Sequence, residues 1–226
     1  MAITVVEHTA TPVTGASPST LSTTKTLTAG STIIVFGEGS SGGAALTISD
    51  GVNTYAQKQT VTDATTIKTW CWIAENVAGG STTITVSGYG GFGGSLLLYE
   101  LQGASTSGSY DASDSIANAN STTPIYAAQA GGITVSAGAL AFALFRYDRD
   151  PSGLTASGYT AGTDSNRSGI AYFFPRWKTF AGGASGERAS STLGSASGYS
   201  TGVLISVKAA AGGGASGIRK LLLGVN

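Results

Sequence analysis

The stretch that decides the fold runs from Val77 to Leu101: VAGGSTTITVSGYGGFGGSLLLYEL. Ser81 to Ser87 alternates with the two-residue period of a β-strand, and Ser95 to Leu101 resumes as an apolar strand. Between them lies GYGGFGG. Glycine adopts positive φ without a Cβ clash, so this piece can turn tightly from one strand into the next. Its aromatics, Tyr89 and Phe92, either fold back onto the end of the sandwich or project toward a partner. Gly88–Gly93 also matches G-x-G-x-x-G, as does Gly37–Gly42. The dinucleotide fingerprint works because its glycine turn opens a helix whose N-terminus faces the pyrophosphate. Here both matches lead into strand-like sequence, SLLLYEL and AALTISD, and a chain with 34 glycines generates such matches by chance. No cofactor is expected.

The same punctuation recurs along the chain. STIIVFGEG (31–39), TTIKTWCWIAEN (65–76), ALAFALFRY (139–147), GIAYFFPRWKTF (169–180) and TGVLISVKAA (201–210) read as strands bounded by Gly, Ser, Asn or Asp. AALTISDGVNTYAQKQTV reads as a hairpin turning at Asp50-Gly51. ALAFALFRY is the most apolar strand and is expected at the centre of a sheet, whereas Pro175 should place its strand at an edge or bulge. Helical periodicity is nearly absent. Strands and turns at this spacing predict an all-β fold, an antiparallel sandwich, over residues 25–208. Residues 1–24, rich in Thr, Ser and Pro, are expected as an N-terminal arm. Residues 209–226 are expected as a Gly-rich linker, AAAGGGASG, leading to a C-terminal arm, IRKLLLGVN.

Composition narrows the function. The 226 residues carry 12 basic and 12 acidic side chains, a formal net charge of zero. Only 11% of the chain is charged, against about a quarter in ordinary globular proteins. No electrostatic footprint for nucleic acid or for a membrane surface is present, and no stretch approaches the roughly 18 apolar residues of a spanning helix. A low-charge surface rich in Gly, Ser and Thr suits a protein that lives in an assembly. Met1 leads straight into AITVVEHTAT, which lacks the basic and apolar regions of a secretion signal, so synthesis in a cytoplasm is expected.

Candidate chemistry is sparse. Cys71, the one cysteine, lies in a strand pattern between Trp70 and Trp72 and reads as a buried, inert thiol. His8 is the one histidine and has no G-x-S-x-G elbow to accompany it, so no triad is expected. Neither residue has spaced partners for a metal. In RYDRDPSG, the two carboxylates of Asp148 and Asp150 could bind calcium, but the neighbouring Arg146 and Arg149 argue instead for internal pairing in a structural turn, or for an ionic contact between subunits. Asp111 and Asp114 form a second acid pair, but glycosidase chemistry needs its two carboxylates at a fixed separation across a cleft. No catalytic or metal residues are assigned.

Trp72 to Val86, WIAENVAGGSTTITV, resembles a β-sandwich module common in bacteriophage virion proteins and in some large bacterial surface proteins. In that module a Trp-x-Ala-x-Asn-Val strand end leads through a Gly-rich turn into a Thr/Val strand. Next come a strand ending in an aromatic, Glu and Gly (here Tyr99 to Gly103) and a D-x-S (Asp111 to Ser113). A Gly-led apolar strand (Gly138 to Phe142) and a final strand ending Val207-Lys208 complete the pattern. The resemblance covers roughly residues 25–210, apart from the GYGGFGG insertion. It implies a jelly-roll sandwich in a structural or adhesive setting, with no catalytic set to carry over. The expectation is a non-enzymatic virion structural protein. Its preferred role is a capsid decoration (cement) protein, a homotrimer on the capsid surface whose partners are the major capsid protein or other virion subunits. The expected partner-facing residues are Tyr89, Phe92, Arg146, Asp148, Arg149 and Asp150, with the terminal Ile218, Arg219, Lys220, Leu221, Leu222 and Leu223. The strand-like N-terminal AITVVEH is the other candidate arm. The alternative is a tail-fibre or receptor-binding protein in which Tyr89, Phe92, Tyr159 and Trp177 line a host-glycan site.

Overall fold

A strand buried on one face alternates polar and apolar residues, whereas one buried on both faces is apolar throughout. This chain contains both kinds, and the difference maps onto its layers. The computed structural model describes residues 2–12, 19–40, 45–89, 94–118, 124–148, 156, 158–167, 171–192 and 198–211. Among these the chain is β structure without helix: β1 (Thr4–Pro12), β2 (Thr20–Leu27), β3 (Thr32–Ser40), β4 (Thr47–Ser49), β5 (Ala56–Thr62), β6 (Ile67–Ala74), β7 (Gly80–Ser87), β8 (Gly94–Gln102) and β9 (Tyr110–Asn118). These are followed by β10 (Ile125–Tyr126), β11 (Ile133–Val135), β12 (Ala139–Tyr147), β13 (Thr160–Ala161), β14 (Ser165–Arg167), β15 (Ala171–Phe180), β16 (Ala184–Glu187), β17 (Ser190–Ser191) and β18 (Ser200–Val207).

Two large antiparallel sheets form the centre. The first has the order β1-β8-β3-β6-β5, and the second β13-β15-β12-β18-β9 with β14 also on β15. Ile34, Phe36, Cys71, Ile73, Leu97 and Tyr99 of the first face Leu140, Phe142, Leu144, Val203 and Ile205 of the second in one core. Phe142 lies at its middle, with ring centroids 5.9 Å from Phe36, 4.6 Å from Tyr99 and 5.9 Å from Trp177. Each central sheet is covered on its other side too. Ile33, Val35, Trp70, Trp72, Leu96 and Leu98 pack under an outer sheet of order β2-β7-β4, through Leu21, Leu27, Ile84 and Val86. Ala139, Ala141, Ala143, Phe145 and Leu204 pack under the short pairs β10-β17 and β11-β16, through Ile125, Ile133 and Val135.

This stacking explains the sequence pattern. Every residue of β12, ALAFALFRY, is buried, as is every residue of β18, because both strands have cores on two sides. β2 and β7 in the outer sheet keep the alternating pattern of one buried face. The antiparallel β-sandwich is therefore the fold, with additional layers outside the two main sheets.

Three expectations change. Asp50-Gly51 does not close a hairpin: β4 pairs with β7 and β5 with β6, so the turn carries the chain from the outer sheet to the first sheet. Asp50 organises that crossing by accepting from the amides of Val52 (2.9 Å) and Asn53 (2.7 Å) and from the Tyr55 hydroxyl (3.0 Å). Within the expected N-terminal arm, residues 4–12 and 20–24 belong to sheets of the chain itself: β1 pairs antiparallel with β8, and β2, from Thr20, pairs with β7. Finally, β15 is not an open edge, but its proline is accommodated as an edge proline would be. β13 pairs at Trp177 and Arg176, β14 pairs at Phe173, Tyr172 and Ala171, and Pro175 lies in the gap between them, needing no donor.

The lateral openings between the two main sheets are latched by side chains. At one, Glu7 of β1 accepts from the Thr163 amide (2.8 Å) and hydroxyl (2.7 Å). At the other, Gln59 of β5 bonds Ser113 (3.0 Å) and Ser115 (2.9 Å) of β9, and Lys58 Nζ lies 4.0 Å from the centre of the Tyr110 ring.

Candidate functional site: a polar layer at one pole of the central core

Residues two apart on a strand share a face, so the inward stripes of the central core can be followed strand by strand. On β3 the stripe runs Ile34, Phe36, Glu38; on β6, Ile73, Cys71, Thr69; on β8, Tyr99, Leu97, Ser95. On β12 it runs Phe142, Leu144, Arg146, and on β18, Ile205, Val203, Thr201. Each stripe turns from apolar to polar at the same pole. Register places Glu38 beside both Thr69 and Ser95, and Arg146 beside Thr201. All five are at most 1% exposed.

Asp63, in the β5–β6 turn, completes the layer. It is fixed by the Thr65 amide and hydroxyl (both 2.8 Å) and by the Ile67 amide (3.0 Å). This tight turn holds Thr66 at φ 73°, a left-handed conformation rare for a β-branched residue. Arg146 reaches across from the second sheet, donating from Nη1 to Asp63 Oδ2 at 2.5 Å and from Nη2 to Glu38 Oε1 at 3.4 Å. A second tie joins the Thr69 and Thr201 hydroxyls at 2.8 Å. A buried cation persists only when paired, so the ion pairs that join the sheets also make Arg146 tolerable in the core.

Arg146 is thus not an interface residue: of the two pairings expected for it, the contact between subunits gives way to the internal one, an ion pair between sheets. Asp148, expected beside it, is half-buried and its amide donates to the Tyr199 carbonyl at 3.2 Å. Arg149 and Asp150 lie outside the described residues, as do Phe92 and Ile218, Arg219, Lys220, Leu221, Leu222 and Leu223. Tyr89 is not a projecting aromatic either. It is 5% exposed, donates to the Ser95 carbonyl at 3.0 Å, and lays its ring against Gly39 and Gly94. Those glycines are direct cross-strand partners on β3 and β8. A Cβ on Gly94 would occupy the Tyr89 ring position, so the aromatic substitutes for the side chains the glycines lack.

The aromatics expected to line a sugar site do not converge. Tyr89 packs in the core under the outer sheet, Trp177 against the central core, and Tyr159 against the core beyond the second sheet. Their polar atoms serve the fold as well. The Tyr159 hydroxyl donates to Glu187 at 2.9 Å, and burial, reinforced by that carboxylate, pushes its pKa far up.

The remaining candidates are likewise engaged within the chain. His8 Nε2 meets Glu100 Oε2 at 3.0 Å, and Glu100 also accepts from the Thr28 amide at 2.9 Å. Burial opposes ionisation of Glu100, but these hydrogen bonds outweigh it and hold the carboxyl below its ordinary range. Asp111 accepts from the Ser136 amide and hydroxyl (both 2.7 Å) and from the Ser206 hydroxyl (3.1 Å); again these bonds outweigh burial and lower its pKa. Asp114 accepts from the Gln129 amide at 2.9 Å. Asp111 and Asp114 are therefore separate struts joining β9 to different loops. Cys71 is fully buried, and burial pushes its thiol far up, away from the reactive thiolate. Among the described residues no group of three His, Cys, Asp or Glu side chains is placed to hold a metal, and no helix is long and apolar enough to cross a membrane.

Glu38 and Asp63 are the members that sequence reasoning missed. The signal was present: Glu38 continues the Ile34–Phe36 stripe and Arg146 continues Phe142–Leu144, and an ionic residue at an inward strand position demands a partner. Comparison with protein-family models, curated proteins and solved structures finds no significant match.

Proposed function

We propose that this chain is a non-enzymatic structural subunit of an assembled particle, acting as a capsid decoration protein. The observation that carries the reading is where the polar groups go. Acids and arginines that could build a reactive site instead tie sheets and loops together, while the outer sheet turns an uncharged hydroxyl surface to solvent. On that surface Thr20, Ser87 and Thr47 form one cross-strand row, and Ser22, Thr85 and Ser49 the next. Hydroxyl bonds join Ser22 to Thr85 (2.8 Å) and Thr24 to Thr83 (2.7 Å). Burying such a surface against a neighbour avoids the large desolvation cost of isolated charges.

The mechanism is mechanical. A subunit that binds the assembled lattice but not its free components stabilises the lattice by mass action. Repetition over a symmetric shell, and trimerisation of the subunit, turn modest contacts into high avidity. The resemblance of residues 72–86 to virion sandwich modules supports the same role. The dispersal of Tyr89, Tyr159 and Trp177 among three cores disfavours the glycan-binding alternative.

The test is co-sedimentation of the purified protein with particles stripped of it. The full chain should rebind, and a chain lacking residues 217–226 should rebind more weakly while unfolding at the same denaturant concentration. Failure of the full chain to rebind would overturn the proposal. Equal rebinding by the truncated chain would remove the C-terminal arm from it.

A further inference from the structure

We propose that the polar layer at the pole of the central core binds ordered water, held by Ser95 Oγ and Arg146 Nε. Both side chains face the interior between the two main sheets. Ser95 is 0% and Arg146 1% exposed. Among the described residues, neither atom has a hydrogen-bond partner, although both Nη atoms of Arg146 are used. Buried polar atoms in folded proteins are almost always satisfied, and where protein atoms do not meet them ordered water commonly does.

The chemistry of the layer selects the ligand. Nε–H can only donate, whereas the serine hydroxyl can donate or accept, so the bound group must accept a hydrogen bond and be able to make a second. An anion is opposed by the two carboxylates, Glu38 and Asp63, and a cation cannot accept the hydrogen bond that Arg146 Nε–H offers. A small neutral molecule that both donates and accepts satisfies these conditions, and water is the one always at hand. The Thr69 and Thr201 hydroxyls, bonded to each other in the same layer, retain acceptor capacity to give that water further partners. The layer then works as a hydrated joint: direct ion pairs on the Asp63 side of Arg146, and a water-mediated bridge from its Nε to β8 of the first sheet.

The experiment is a crystal structure of the full chain at a resolution that orders internal water, grown with rubidium salt. The result expected is an oxygen-sized peak within hydrogen-bonding distance of both Ser95 Oγ and Arg146 Nε, without rubidium anomalous signal. A rubidium signal at that position, or Ser95 and Arg146 satisfied directly by protein atoms with no peak, would overturn the proposal. In solution, ¹⁷O relaxation dispersion should count at least one fewer long-lived water in Ser95→Val than in the parent protein. An unchanged count in a folded variant would also overturn it.

Discussion

Replacing Arg146 with methionine would keep most of the buried aliphatic stem and remove the guanidinium that joins the two sheets. Glu38 would stay fully buried and Asp63 nearly so, both without their cation. Removing one partner of a buried ion pair costs about 3–5 kcal/mol, because the remaining charge stays out of water. Asp63 keeps its three donors from Thr65 and Ile67, which blunts its share and places the expectation in the lower half of that range. With a urea m-value of about 2–3 kcal/mol/M, the unfolding midpoint should fall by roughly 1–2 M at neutral pH. Adding Glu38→Gln removes one of the two buried carboxylate charges, so the double variant should be less damaged than the sum of the singles. The coupling should be about 0.5–3 kcal/mol. A midpoint shift under about 0.3 M at an unchanged m-value, or strict additivity, would refute the view that Arg146 is an obligatory tie.

Other consequences are equally direct. Tyr89→Ala uncovers the Gly39–Gly94 pair and should cost about 3–5 kcal/mol, whereas Tyr89→Phe keeps the ring, loses the bond to Ser95, and should cost about 1 kcal/mol by urea unfolding. Equal costs would mean that the ring does not carry the contact. Gly202→Ala places a Cβ on β18 against the backbone of Tyr126 and Ala127, and should lower stability by about 1–3 kcal/mol on the same assay. In acid, Asp50, Glu75, Glu100 and Asp111 have folded pKa values below their ordinary ones. The unfolded chain therefore takes up protons first. The stabilisation is complete above the ordinary carboxylate range and is lost as pH falls through the depressed folded values, so the midpoint should drop steadily below about pH 5. In alkali, Tyr55, Tyr99 and Tyr159 have folded pKa values raised chiefly by burial, so stability should fall again above about pH 10. A midpoint flat from pH 7 to 3 would contradict the acid half.

The sequence made the class of fold legible because strand periodicity is a local signal. β7 alternates, β12 does not, and both runs are bounded by turn residues. Partner choice was less legible. Asp50-Gly51 has the chemistry of a hairpin turn, but pairing of β4 with β7 and of β5 with β6 depends on which sheet can cover Ile33, Val35, Trp70 and Trp72. Local turn chemistry cannot report that choice. The N-terminal residues read as weakly patterned because β1 is an edge strand whose place is set by pairing with the apolar β8. For the polar layer, Arg146 was visible and its partners were not: Glu38 and Asp63 lie more than eighty residues away along the chain and meet it only across the core. The role of Tyr89 was legible as one of two alternatives, fold-back or projection, and its burial over two glycines decides it.

The most direct test of the proposed role in a particle is gold-labelled antibody against this chain, applied to intact particles from cells that make it and viewed by electron microscopy. Label distributed over the particle heads is the result the account predicts. Label confined to tails, or absent from particles altogether, would contradict it.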